Sequence, residues 1–375
     1  RRLFVVPGDL KPALLDLPRR MEAGETAGPV LSRQGTPQVW EAGIRTDPFA
    51  FNAPALSFHS RPFLKIQDGC DHACAYCRVR LARGNSVSLD ADTVLRRLQA
   101  LEEQGYAEAV LTGVNISQYR DVRRGGLGAL IAFLLENTRR IALRLSSLEP
   151  EALTEDLLSV LGERRIRPHF HLSLQSGSNR VLRRMGRSYT AEEAREAADK
   201  LRALKGDPFL ACDIIAGFPG EDGEDFAETM ELCGRIGFAW IHPFPYSPRP
   251  ETPAFGFKDQ VSRGEVSGRV EALSSLARQG RAAYISRWLG RTVELVPERF
   301  ANPGPGGSVP AVSENYLKVL LLPLPGGKPG PGGAAGAVNT PNTVRRRLSA
   351  LKDGEDGGGR FDAAGEPLTE TADTG

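Results

Sequence analysis

The chain has 375 residues, 41% of them hydrophobic and 25% charged, and a formal net charge of +2, an ordinary globular composition with length for one large domain and a small one. No stretch approaches the roughly twenty apolar residues of a spanning helix and no signal peptide is visible. The near-neutral balance excludes nucleic-acid binding by bulk charge, so any such contact must come from local clusters. Five cysteines without a paired framework fit a reducing compartment, which points to a cytoplasmic protein.

In chain order, residues 1 to about 60 hold one strand-like run, Leu3-Phe-Val-Val6, and one helical candidate from Pro12 to Met21, before Pro, Gly and Ser interrupt any period. This stretch cannot build a core by itself and reads as a remnant plus a linker. From Phe63 a regular alternation begins. Phe63-Leu-Lys-Ile66 is a strand candidate. Val94, Leu98 and Leu101 mark a helix capped by Asp90 or Asp92 and stopped at Gly105. Ala109–Leu111 is the next strand, and Leu127, Leu130, Ile131, Leu134 and Leu135 the next helical stripe. Strands at 141–145, 170–174, 209–215 and 238–241 follow, with helices around Leu157, over 179–205 and over 224–236 between them. Six strands alternating with helices predict a parallel βα architecture with right-handed crossovers, as an open sheet or a curled partial barrel.

An amphipathic helix from about Glu265 to Leu289 leads out of this domain. From residue 290 the composition shifts: Thr292–Val296, Tyr316–Leu322 and, more weakly, Thr343–Leu348 are strand-like. From about Lys352 the chain is acidic, Gly-rich and aperiodic, and is expected to be disordered.

Unusual residues recur just past the strand ends, where parallel α/β folds gather their ligand sites. Thr112-Gly-Val-Asn115, Ser146-Ser-Leu-Glu149, Gln175-Ser-Gly-Ser178, Gly217-Phe-Pro-Gly220 and Pro245-Tyr-Ser-Pro248 are such stretches. The most telling is Cys70-Asp-His-Ala-Cys74-Ala-Tyr-Cys77, three cysteines in eight positions after the first strand. By spacing, three readings stand: a zinc site recruiting His72, a disulfide with one thiol left over, or an iron-sulfur cluster held by three thiolates with one iron open.

Cys-x3-Cys-x2-Cys with an aromatic residue before the last cysteine resembles the motif of radical S-adenosylmethionine (SAM) enzymes. The wider run Phe63-Leu-Lys-Ile-Gln-Asp-Gly-Cys70, with Leu81-Ala-Arg-Gly84, resembles the methylthiotransferase branch. Leu111-Thr-Gly-Val-Asn-Ile-Ser-Gln-Tyr119 looks most like the members acting on N6-threonylcarbamoyladenosine at position 37 of tRNA. The resemblance implies a partial (β/α)6 barrel over 61–289 and a small TRAM-like β-barrel over 290–351, with 1–60 as the remnant of an N-terminal domain and 352–375 as a tail. It implies a 4Fe-4S cluster on Cys70, Cys74 and Cys77, and SAM contacted by Thr112, Gly113 and Asn115 at its methionine amino group, Ser147, Glu149 and Gln175 at its ribose, and Gly217 on the adenine side. Bare turns and helix caps would account for the same residues. Implied partners are the tRNA anticodon loop at adenosine 37 and an electron donor such as flavodoxin or ferredoxin; no membrane is involved.

The family carries a second cluster on three further cysteines before this domain, whereas no cysteine precedes Cys70 here. The chain is therefore expected to bind SAM but to be incomplete for sulfur insertion. Other readings are a methylthiotransferase for another tRNA adenosine or a ribosomal-protein residue, and a catalytically incomplete RNA-binding protein. Arginines 78, 80, 83, 180, 183, 184 and 187 stand near the expected mouth, where an RNA backbone would pass, and a further run spans 345–347. His169 and His171 read as structural, and Cys212 and Cys233 as buried small hydrophobes.

Overall fold

A computed structural model of the chain describes residues 47–49, 60–298, 307–322, 343–349 and 362–366. The strand and helix expected before residue 22 lie outside these.

Six strands, β1 (Phe63–Lys65), β2 (Glu108–Thr112), β3 (Ala142–Leu145), β4 (His169–Gln175), β5 (Phe209–Ala216) and β6 (Trp240–Pro245), run parallel in sequence order. They form two three-stranded sheets, joined at the β3–β4 seam by bridges Leu143↔Ile166 and Leu148↔Leu172. Helices α1 (Val79–Arg83), α2 (Ala91–Glu103), α3 (Leu127–Glu136), α4 (Glu155–Leu161), α5 (Asn179–Met185), α6 (Ala191–Lys205), α7 (Gly223–Ile236) and α8 (Arg263–Trp288) alternate with the strands or follow them. This is the partial (β/α)6 barrel. The helices begin where side-chain oxygens satisfy orphan N–H groups. Asp90 accepts from the Thr93 N–H at 2.9 Å, and capping boxes open α6 at Thr190 and α7 at Asp222. The last strand lies two residues later than the 238–241 predicted and is longer. Pro243 and Pro245 mask it in the sequence, and an edge strand tolerates them because one side of its ladder is free.

Period-two alternation gives the strands two different faces. Leu64, Leu111, Leu143, Leu172, Cys212 and Ile241 face the helices and are buried among residues such as Leu98, Leu134 and Leu201. Cys212 and Cys233 are thus core residues, as expected. The inner face is polar. Glu108, fully buried, accepts from Arg144 Nε at 2.6 Å and Arg167 Nε at 2.8 Å. Burial alone would raise its pKa; the two guanidinium groups outweigh this and hold it below the usual carboxylate value.

A second unit is a closed five-stranded barrel of β7 (Thr292–Pro297), β8 (Val309–Ser313), β9 (Lys318–Leu321), β10 (Val344–Ser349) and β11 (Ala363–Glu366), in the order β7-β8-β9-β11-β10. Its core is built from Val293, Leu295, Ala311, Val319, Leu348 and Ala363. Two of these strands are not predicted from sequence. Pro310 disguises β8, and Ala363-Ala-Gly-Glu366 carries no β-branched residue. The expectation of a disordered tail from 352 is therefore corrected: 363–366 closes the barrel between β9 and β10, where small residues suit a tight interior.

The second barrel seals the amino-terminal end of the first. Arg167 Nη2 donates to Glu294 at 2.6 Å, Arg144 Nη2 donates to the Glu314 carbonyl at 3.1 Å, and Tyr316 stacks on His169 with centroids 4.1 Å apart. Glu108→Ala would leave buried Arg144 without a carboxylate among the described residues and Arg167 with Glu294 as its hydrogen-bonded carboxylate, so a loss of about 3–5 kcal/mol is expected in urea denaturation. His169 offers a pH-dependent counterpart. Burial first, and then Arg144, hold its pKa well below 6.5. The unfolded chain takes up a proton near 6.5 that the folded chain refuses, so stability falls as pH drops through 6.5, by up to about 1.4 kcal/mol per unit. His169→Phe should flatten that slope in denaturation series at stepped pH.

Candidate active site at the barrel mouth

The loop after β1 carries Cys70, Cys74 and Cys77, and its path is held from several sides. Gly69 adopts φ +72°, where an added Cβ would sit 2.1 Å from the Asn85 carbonyl oxygen, so only glycine lets the chain turn here. Ala75 N–H donates to the Met185 carbonyl at 2.8 Å, and the Ala75 carbonyl accepts from Ala254 N–H at 2.9 Å. Ala75, Val181, Met185, Phe218 and Ala254 form a small apolar cluster, with Tyr76 packed against it. The loop is thereby pinned to α5 and to the turn after β5. Cys74 is buried while Cys70 and Cys77 are half-buried, and all five cysteines are free thiols. Burial pushes the Cys77 thiol up, partly offset by the Val79 N–H donated to its sulfur at 3.4 Å.

Gln67, which the sequence did not single out, organises the next loop. Its Oε1 accepts from Val114 N–H at 3.0 Å and Asn115 N–H at 2.8 Å, while its Nε2 donates to the Gly69 carbonyl at 2.8 Å. One buried amide thus clamps the β2 loop to the cysteine loop. Gly113 is required by this clamp: a Cβ there would lie 2.8 Å from both Gln67 oxygens. On its Cβ side Gly113 is filled by Gln67, so glycine is required there whatever its backbone touches. Gly217, at φ +74°, is required in the same way, because a Cβ there would lie 2.3 Å from Val266 Cγ2 on α8.

Four of the expected site residues converge with one of the arginines expected to face RNA. Asn115 Nδ2 donates to Cys70 Sγ at 3.9 Å and to Glu149 Oε1 at 3.4 Å. Arg187, buried, donates to Cys74 Sγ at 3.4 Å and to the Ser173 carbonyl at 3.3 Å, and it forms an ion pair with Glu149. Burial works against its charge, but Tyr189, Tyr76 and Cys74 hold its pKa up. Glu149 caps no helix through its side chain. Gln175 ends β4 at φ +63°, a strained position for a residue with a Cβ, beside a register shift in the ladder. Thr112 ends β2 opposite Lys65. Ser147 turns into the barrel instead, where its Oγ lies 2.8 Å from His171 Nδ1, and His171 Nε2 lies 3.2 Å from Asp213.

Most of the arginines near the expected mouth are paired with carboxylates. Arg83 pairs with Asp68 at 3.1 Å, Arg78 with Glu251, Arg180 with Asp222 at 2.7 Å and with Asp225, and Arg184 with Asp259 at 2.5 Å. Of the seven near the mouth, Arg80 and Arg183 are exposed and have no carboxylate partner among the described residues. Among the described residues, no three His, Cys, Asp or Glu side chains converge to hold a single metal ion, so the zinc reading through His72 has no geometry behind it. A cluster differs, because each thiolate binds its own iron.

Residues 64–233 match the Radical SAM superfamily. That stretch, which holds the barrel strands from the first to the fifth, is a Radical SAM domain. It is 46% identical over 275 residues to the threonylcarbamoyladenosine tRNA methylthiotransferase MtaB of Treponema pallidum, which spans 73% of this chain and 55% of the relative. The Bacillus subtilis protein of the same name is 35% identical over 275 residues, 72% and 60% of the two chains. A tRNA-2-methylthio-N(6)-dimethylallyladenosine synthase of Magnetococcus marinus is 39% identical over 241 residues, 62% and 54% of the two. The chain thus spans little more than half the length of these relatives. No described helix is long and apolar enough to cross a membrane.

Gly113→Ala should displace Gln67 and release the β2 loop, at about 1–3 kcal/mol. Urea denaturation measures the cost, and a fall in iron retained after reconstitution measures the lost Asn115 contact.

Proposed function

We propose that this chain is the catalytic portion of a tRNA methylthiotransferase that places a methylthio group on N6-threonylcarbamoyladenosine at position 37. The observation that carries the reading is the convergence of Asn115 and Arg187 N–H groups on the sulfurs of Cys70 and Cys74 at the barrel mouth. Donors aimed at thiolate sulfur stabilise its charge and tune a metal centre. The residues present fit a 4Fe-4S cluster on Cys70, Cys74 and Cys77, which when reduced supplies the electron that breaks the sulfonium bond of SAM.

The chain's own residues do the rest. Arg187 and Asn115 orient the cysteine loop, and Glu149, held between them, presents a carboxylate where the SAM methionine or ribose would lie. Gln175 and Thr112 offer short polar groups at neighbouring strand ends, while Gly113 and Gly217 act indirectly, by letting Gln67 and Val266 shape the rim. Burial of Cys74 and Ala75, with Tyr76 packed beside them, shelters the site from water. The C-terminal barrel reads as TRAM-like, with Arg345 and Arg347 exposed on one face for tRNA phosphates. A cytoplasmic location and a small electron-donor protein complete the reading.

Anaerobic reconstitution should give about four irons per chain, with 5′-deoxyadenosine formed from SAM under a strong reductant. Cys74→Ala should lose both; tight zinc in place of iron would defeat the proposal. Comparing tRNA nucleosides from cells with and without the gene tests the substrate.

A further inference from the structure

The lumen of the partial barrel holds a partly open cavity of about 330 Å³, within the range of small-ligand pockets. Its polar wall is Arg61, Arg144, His169, His171, His242 and Glu298, with Phe63 and Tyr316 as aromatic faces. The acceptors here are already taken. Glu108 receives Arg144 and Arg167, Glu298 receives Arg61 Nη2 at 2.7 Å, and Asp213 receives His171. The guanidinium donors are not: Arg144 Nη1 and Arg61 Nε are buried without a hydrogen-bond partner among the described residues, and so is His169 Nδ1, which donates in the tautomer that carries its proton there; Arg144 is 2% and His169 8% exposed. His242 Nδ1 accepts from Trp240 Nε1 at 3.3 Å, so its neutral ring carries a proton on Nε2. A pocket of unspent donors among satisfied carboxylates fits an acceptor-rich, anionic group.

We propose that this cavity receives the N6 substituent of the target nucleoside, and that Arg144 and His169, with Arg61 beside them, bind its carboxylate. The inference rests on the methylthiotransferase reading and deepens it. A threonylcarbamoyl group brings a carboxylate, a hydroxyl and a urea carbonyl, all acceptors. A dimethylallyl group brings none and would leave the buried donors unpaired, a strong ground for rejection. The lumen thus separates the two substrate classes found among the relatives.

The test varies the ligand before the protein. Short anticodon stem-loop oligonucleotides carrying N6-threonylcarbamoyladenosine, its methyl ester, N6-dimethylallyladenosine or adenosine are titrated against the full chain by fluorescence anisotropy. The free acid should bind about a hundredfold more tightly than the ester or the dimethylallyl form. That preference should shrink at least tenfold in His169→Phe, and in Arg144→Met combined with Glu108→Gln, which removes the charge pair together; circular dichroism confirms folding. Equal binding of acid and ester by the unaltered chain, or dimethylallyl binding as tight as the acid, overturns the assignment. Formation of 5′-deoxyadenosine from SAM is scored separately on the reconstituted chain. If it forms without acid preference, the cavity assignment alone falls; acid preference without it supports the cavity and removes the enzymatic reading.

Discussion

The structure depends on one buried guanidinium. Arg187 leaves the end of α5 and, in a pocket closed to water, reaches Cys74 sulfur, the Glu149 carboxylate and the Ser173 carbonyl. Those groups belong to the loop after β1, the loop after β3 and the strand β4, so one cation ties three segments that share no local sequence. A buried charge is tolerable only when its hydrogen-bonding capacity is nearly filled, and that requirement fixes the mutual position of the three. Asn115 extends the tie to a fourth, and Gln67 clamps that loop from beneath. The thiols stand where they do because the polar groups behind them have no other arrangement that satisfies them all.

A second polar system runs along the lumen. Many parallel barrels fill the interior with branched apolar side chains. Here Glu108, Arg144 and Arg167 occupy the floor, His169, His171 and His242 the middle, and Ser147 and Asp213 the level below the mouth. The C-terminal barrel makes this possible by closing the floor with Glu294, the Glu314 carbonyl and the ring of Tyr316. Without that lid the floor charges would meet water, and their coupling would weaken as the local dielectric rose. The appended barrel is part of the interior of the first as well as a neighbour to it.

Much of this was legible in the chain. The strand–helix alternation, the cap at Asp90 and the thiol triplet all follow from local rules of period, capping and ligand spacing, which act over a few residues. β8 and β11 were hidden, because Pro310 and the Ala-Ala-Gly run of 363–365 lack β propensity and become strands only when neighbours supply the ladder. Gln67 was not singled out, and Arg187 was placed with the RNA-facing arginines, for a related reason. A glutamine in a strand-to-loop step and an arginine in a basic cluster look like surface residues until the fold buries them.

By itself, the sequence determined the order of elements, the superfamily and the triplet of sulfurs, since each is written in contiguous residues. The tertiary structure alone decided that Gly113 and Gly217 must be glycine to make room for Gln67 and Val266, and that Ser147 meets His171 in the lumen. It alone decided that Arg144, Arg61 and His169, far apart in the chain, leave polar atoms unpartnered among the described residues around one cavity. These are matters of which groups meet in three dimensions and which find no partner, and a hydrogen-bond balance exists only once the chain has closed on itself.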